Sequence, residues 1–328
     1  MNLLRQSSVI SVVSAVVLAV LAVVRGFVAP VVAEGVGCSV MPLTMWLEGA
    51  REVGLGLYVP LVVVVIALCM VNTLSASLYN VDAGGRSTLP LQTWVLMGCC
   101  ACFPVQSLSS FVAAWLMTIA MKQVAKAYKR SYSFGAVFIA SFVMGMLPLI
   151  HAHFVVLLVL LPLVWLLTKR TSRELFVGVV GGVLPLFVAS YVYWLQGEGF
   201  GTVFRMLGEG FGGANGFKMM HLGGLQIEVM AMWIAVAVMF SVGMIGSSAS
   251  MRSKARVTGY LQIILLAVLA VTPLLGGGGA MMVPSLAVLT ALLSPKAFGR
   301  GYAFWSSTIY TVFEASVVCY NIYLFACL

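Results

Sequence analysis

The feature that most constrains this chain is a set of long apolar runs unbroken by charge, such as residues 9–24, 61–71 and 154–167. In lipid every backbone N–H and C=O must find its partner inside the protein, which leaves helices or closed barrels. Barrel strands alternate apolar and polar residues over about ten positions. These runs are continuous, so they read as helices. Only 8% of the residues are charged and 62% are hydrophobic. A soluble surface carries about 25% charged residues, so lipid is the solvent for most of the chain. The expected fold is all-α: one polytopic transmembrane bundle over residues 1–328, without a domain boundary.

About eleven spans can be drawn, near 8–24, 55–73, 91–104, 108–122, 134–150, 153–168, 175–195, 227–247, 257–275, 280–295 and 303–327. The first has a positive start at Arg5 but is long for a signal peptide. Arg25 and Pro30 separate it from a cleavage-like Val31-Val32-Ala33, which favours an uncleaved helix. With the N-terminus cytoplasmic and the C-terminus outside, fourteen basic residues fall inside: Arg5, Arg86, Lys122, Lys126, Lys129, Arg130, Lys169, Arg170, Arg173, Arg252, Lys254, Arg256, Lys296 and Arg300. Four fall outside: Arg25, Arg51, Arg205 and Lys218. This asymmetry accounts for the net charge of +9 as a topogenic signal rather than a nucleic-acid surface. It supports both the helix count and the cytoplasmic placement of the N-terminus.

The cytoplasmic loops carry no glycine-rich phosphate loop, and the seven cysteines lack metal-ligand spacing and read mainly as packing residues. Chemistry is therefore expected at the outer face or within the membrane. In the first outer loop, Glu48 and Glu52 lie four apart behind Trp46, on one face of an interfacial helix. Such a pair can act as a general base or hold a divalent cation. No cofactor is expected. The second outer loop repeats a motif, Gly197-Glu198-Gly199-Phe200 and Gly208-Glu209-Gly210-Phe211, around a short amphipathic segment at 202–207. There Arg205, Lys218 and His221 are candidates to hold a substrate phosphate. His151 and His153 flank a helix–helix turn on the same side, and ordinary interfacial histidines are expected there rather than a metal site. Glu314 sits mid-span in a polar stripe with Ser307, Thr311 and Asn321, a costly position that suggests substrate binding or transport. Gly178 and Gly182 form a small-residue pair suited to close helix packing, as do Gly243 and Ser247.

From Arg86 to Trp194 the chain resembles an uncharacterised family of bacterial inner-membrane proteins, the domain of unknown function 6427 family. The resemblance rests on Ser87-Thr88-Leu89-Pro90, the Phe103-Pro104 hairpin, the basic segment 122–130 and the segment 142–150 with Gly145 and Pro148. It continues through Lys169-Arg170-Thr171-Ser172-Arg173-Glu174, Gly181-Gly182, Leu184-Pro185 and Tyr191-Val192-Tyr193-Trp194. It implies no activity and no catalytic residues. A looser likeness, at the level of fold, is to multi-span glycosyltransferases that use polyprenyl-phosphate sugars, with Glu48 or Glu52 in the place of their acidic residue.

Three functions follow as expectations. The first is an envelope enzyme acting at the outer face on a lipid-linked or phosphate-bearing substrate. The second is a transporter or flippase working through Glu314. The third is a non-catalytic scaffold or accessory subunit. Membrane lipid is the expected partner in each; protein partners are left open.

Overall fold

In the computed structural model, the described residues are 41–53, 60–69, 71–72, 108–128, 132–212, 224–275, 279–297, 315 and 319. Among them every regular element is helical. In chain order these are α1 (Pro42–Val53), α2 (Pro60–Cys69), α3 (Leu108–Ala127), α4 (Phe134–Met146), α5 (Val155–Leu167), α6 (Ser172–Leu195), α7 (Thr202–Gly212), α8 (Gly224–Ser247), α9 (Ser253–Leu275) and α10 (Gly279–Ala297). Three helical stretches among the described residues are long and apolar enough to cross a membrane: Leu108–Ala127, Ser172–Leu195 and Ser253–Val271. The stretches 8–24, 91–104 and 303–327 lie outside the described residues, apart from two isolated positions. Of those two, Cys319 is exposed rather than packed, whereas Cys69 is buried as expected.

α3 occupies the middle, packed between α4 and α10, while α4 and α5 both lie on α6. Its span is 72% buried against 33% for α6, so α3 is a core helix and α6 a peripheral one. Trp165, Phe154, Phe240, Met117 and Met144 are the bulkiest side chains of the interior.

The close approach of α4 to α6 follows from glycine. A Cβ on Gly145 would collide with the Gly182 carbonyl, and one on Gly178 would stand 2.6 Å from Trp165 Nε1. Gly145 is what lets the α4 and α6 backbones meet, whereas the expected small-residue pair, Gly178 and Gly182, makes room chiefly for Trp165, Leu158 and Leu161 of α5.

Helix ends differ from expectation in three places. α3 continues through Lys122 and Lys126 to Ala127, so these two lysines belong to a helix and not to a loop. Their long stems can run along the apolar surface while the ammonium stays wet, and Lys126 complements the negative end of the helix dipole. The expected span at 134–150 ends as an α-helix at Met146 and closes as a 3-10 turn, Leu147–Leu149. Pro148, lacking an N–H, sits in the first turn of that element, where no donor is needed. The amphipathic segment expected at 202–207 is the longer helix α7, which takes in the second copy of the repeat. The first copy is a turn, with Gly197 at φ 90°.

These breaks set a difference in length. α4 has 13 residues and α6 has 24, or about 20 Å against about 36 Å. The two start at a common level, because Ser133 N, just before α4, donates to Glu174 Oε1 in the first turn of α6 at 2.9 Å. α6 therefore overhangs the α4–α5 turn at its far end. The recess beside the overhang is filled by α1 and α7: Met41, Leu149, Ala152, Leu186, Val203 and Leu207 form a small apolar cluster of their own there.

Candidate functional site

The floor of this recess is the turn carrying His151 and His153, which are only 4% and 6% exposed. His151 caps the short 3-10 helix Ala152–Phe154 in an extended conformation, φ −147° and ψ 126°. Its Nδ1 accepts from the His153 backbone N–H at 3.4 Å. An imidazole nitrogen that accepts cannot carry the proton of the neutral ring, so the proton is assigned to Nε2. Burial first, and the neighbouring His153 second, hold the His151 pKa down to about 4, so the ring is neutral at pH 7. Its Nε2 is buried and has no hydrogen-bond partner among the described residues. The two imidazoles are 4.9 Å apart between centroids, and Phe211 of α7 covers His153 at 5.6 Å.

α1 closes another side. Thr44 Oγ1 donates to the Ile150 carbonyl at 2.5 Å. Met41 and Thr44 are buried, while Met45 and Trp46 are exposed. Glu48 and Glu52 lie on this helix one turn apart, as expected. Arg205 lies on α7 and is largely exposed; its Nε donates to Glu209 Oε1 at 2.8 Å. That hydrogen bond, with the carboxylate's charge, raises the Arg205 pKa further.

The fold thus gathers three separately expected segments, those of Glu48 and Glu52, of the histidines and of Arg205, at one end of the bundle. Lys218, His221 and Glu314 lie outside the described residues, as do Ser307, Thr311 and Asn321. Among the described residues no group of three or more His, Cys, Asp or Glu side chains is placed to hold a metal ion.

A second polar cluster, at the opposite end, went unrecognised in the sequence. Arg170 reads there as one topogenic cation among many. In the fold its side chain is 2% exposed and pairs with Glu174, 1% exposed, at 3.2 Å. Glu174 also accepts from Thr171 N and Thr171 Oγ1, each at 3.2 Å, and Thr171 Oγ1 accepts in return from Glu174 N. This is a capping box, and the Thr171-x-x-Glu174 pattern was its available signal. The cluster joins the segment before α4 to the start of α6. It is a structural clamp.

Comparison of the whole chain with protein-family models, with curated proteins and with solved structures finds no match in any of the three.

Proposed function

We propose that this chain is a bacterial inner-membrane protein of about eleven spans, N-terminus cytoplasmic, that acts on a lipid-linked or phosphate-bearing substrate at the end of the bundle where α1 and α7 cover the histidine turn. Membership of the family resembled by residues 86–194 is part of the same proposal. The observation that carries it is the His151 Nε2–H, a buried donor of assigned tautomer with no acceptor among the described residues. Leaving such a group unpaired costs about 1–3 kcal/mol, which a ligand oxygen offsets by accepting the bond.

A phosphate oxygen suits this donor. A neutral imidazole donates to it without first having to acquire a buried charge. Arg205, exposed on the outward face of α7, supplies a planar cationic fork for a phosphate at the headgroup side of the substrate, away from the oxygen that meets His151, once it exchanges Glu209 for phosphate. In this reading Glu48 and Glu52 provide the base, because the helix that carries them packs on the histidine turn through Thr44 and Ile150. Lys218, His221 and Glu314 are further substrate-binding positions.

The test is native mass spectrometry of protein purified gently from its own membrane. A polyprenyl phosphate or similar phospholipid-linked species is expected on the wild type and absent from His151→Phe and Arg205→Ala. Glu48→Gln with Glu52→Gln is expected to keep the bound species and lose its turnover. A wild-type protein free of any phosphate-bearing lipid, or His151→Phe binding it equally well, overturns the proposal.

A further inference from the structure

α6 exposes one unbroken apolar stripe: Phe176, Val180, Val183, Phe187, Tyr191 and Trp194 follow one another at steps of three or four residues. This is the stripe of a helix facing lipid, with its aromatic residues gathered toward the α7 end.

α7 does not sit beyond the end of this stripe but beside it. Val203 and Leu207 pack with Leu186, about two and a half turns before the end of α6. Phe200, on the approach to α7, meets Phe187 edge to face at 5.2 Å. That level lies about 12 Å short of the end of α6. α7 is also amphipathic across its own width. Val203 and Leu207 occupy the buried half of its apolar arc, with 0% and 7% exposure. Phe204 and Phe211 extend the same arc and remain 46% and 50% exposed. Arg205 and Glu209 lie on the opposite face, paired to each other.

We propose that α7 is a membrane-interface helix whose exposed arc rests on the bilayer, with Phe204 and Phe211 against acyl chains and the Arg205–Glu209 face toward headgroups and water. Three features support lipid as the occupant. The exposed arc is continuous, through Phe200 and Phe187, with the lipid-facing stripe of α6. The helix lies at a depth where α6 is still apolar on its outer side. Its polar residues are confined to the other face, as in helices that lie in the plane of an interface. The inference is independent of the substrate proposed above. It gives Phe211 two neighbours, since the ring that covers His153 also borders the bilayer, and so places the recess at the level from which a lipid-linked molecule would enter.

The experiment uses the full chain reconstituted in vesicles of phosphatidylcholine and phosphatidylglycerol. Benzoylphenylalanine is introduced singly at Phe204, at Glu209 and, as a reference on the α6 stripe, at Phe176. After irradiation, mass spectrometry is expected to find acyl-chain adducts at Phe204 and Phe176 and none at Glu209. Adducts at Phe176 but not at Phe204 overturn the proposal, as does equal labelling of Phe204 and Glu209. A crosslink from Phe204 to a protein in place of lipid also overturns it.

Discussion

Trp165 on α5 donates its indole N–H to Ser141 Oγ on α4 at 3.0 Å, and neither residue is exposed at all. Gly178 of α6 lies against the same indole, with Ser141 Oγ also within reach of its absent Cβ. One hydrogen bond and one missing side chain thus tie three helices together. Apolar helices in lipid gain little by burying apolar surface against one another, so close packing and buried hydrogen bonds have to hold them. Ser141→Ala is expected to lower stability by about 1–3 kcal/mol, because it strands the indole donor. Chemical denaturation in detergent, followed by tryptophan fluorescence, checks this. Trp165→Phe in the Ser141→Ala background should then lose less than it does alone.

Gly145→Ala is expected to destabilise by about 1–3 kcal/mol, since the added methyl meets the Gly182 backbone rather than a side chain that can turn aside. Gly135→Ala, in the same helix, has open space around its Cβ. It should be neutral or stabilising by up to about 1 kcal/mol, because alanine is the better helix former. Thermal denaturation of the two variants, side by side, separates packing from propensity.

Glu174→Gln is expected to cost about 3–5 kcal/mol, as removal of one partner from a buried ion pair does. Thr171→Ala, which removes only the cap, should cost about 1 kcal/mol. Limited proteolysis at the 128–133 segment should rise in Glu174→Gln, because Ser133 N loses a charged acceptor there. Unchanged cleavage would show that the clamp does not hold this segment.

Stability should fall as pH drops from about 6.5 to about 4. His151 has its folded pKa lowered to about 4 from an unfolded value of 6.5. Across that window the unfolded chain binds a proton that the folded chain does not, so stability rises with pH there and its contribution is complete above 6.5. His151→Phe should flatten this part of the pH profile, which unfolding midpoints measured from pH 4 to pH 7 would reveal.

Arg205→Ala should leave the unfolding midpoint where it is in the wild type. The Arg205–Glu209 pair is exposed and lies one helical turn apart, and such pairs add little to stability. Loss of bound phosphate-bearing lipid in this variant, at an unchanged midpoint, therefore reports on binding alone.

Much of the architecture was legible residue by residue. Helix starts at 108, 134 and 224 and ends at 195, 247 and 275 fall within three residues of the hydropathy boundaries, because apolar runs end where charge or glycine begins. The Gly178–Gly182 contact was also legible, since small residues at that spacing have little other use in a helix of this composition. The capping box at Thr171 was present in the pattern but was masked by the basic residues around it, which have a sufficient topogenic explanation. The histidine turn was legible as a His-x-His pair at a helix–helix turn, expected to be interfacial; its burial was not legible, because it comes from distant segments packing over it.

By itself the sequence determined that the chain is helical, with runs long and apolar enough to cross a membrane, because composition and run length decide how backbone polar groups are satisfied. It also determined which residues have usable chemistry. Only the tertiary structure decided which of them meet. The recess exists because α4 stops at Met146, ahead of the Pro148 turn, while α6, started level with it by the Ser133–Glu174 bond, runs on past it. α1 and α7 are drawn in to cover the exposed turn, and they bring the Glu48–Glu52 segment and the helix that carries Arg205 to the same end of the bundle. That convergence depends on relative helix lengths and contacts between segments more than a hundred residues apart, as with Thr44 and Ile150. Local periodicity does not encode distances of that kind.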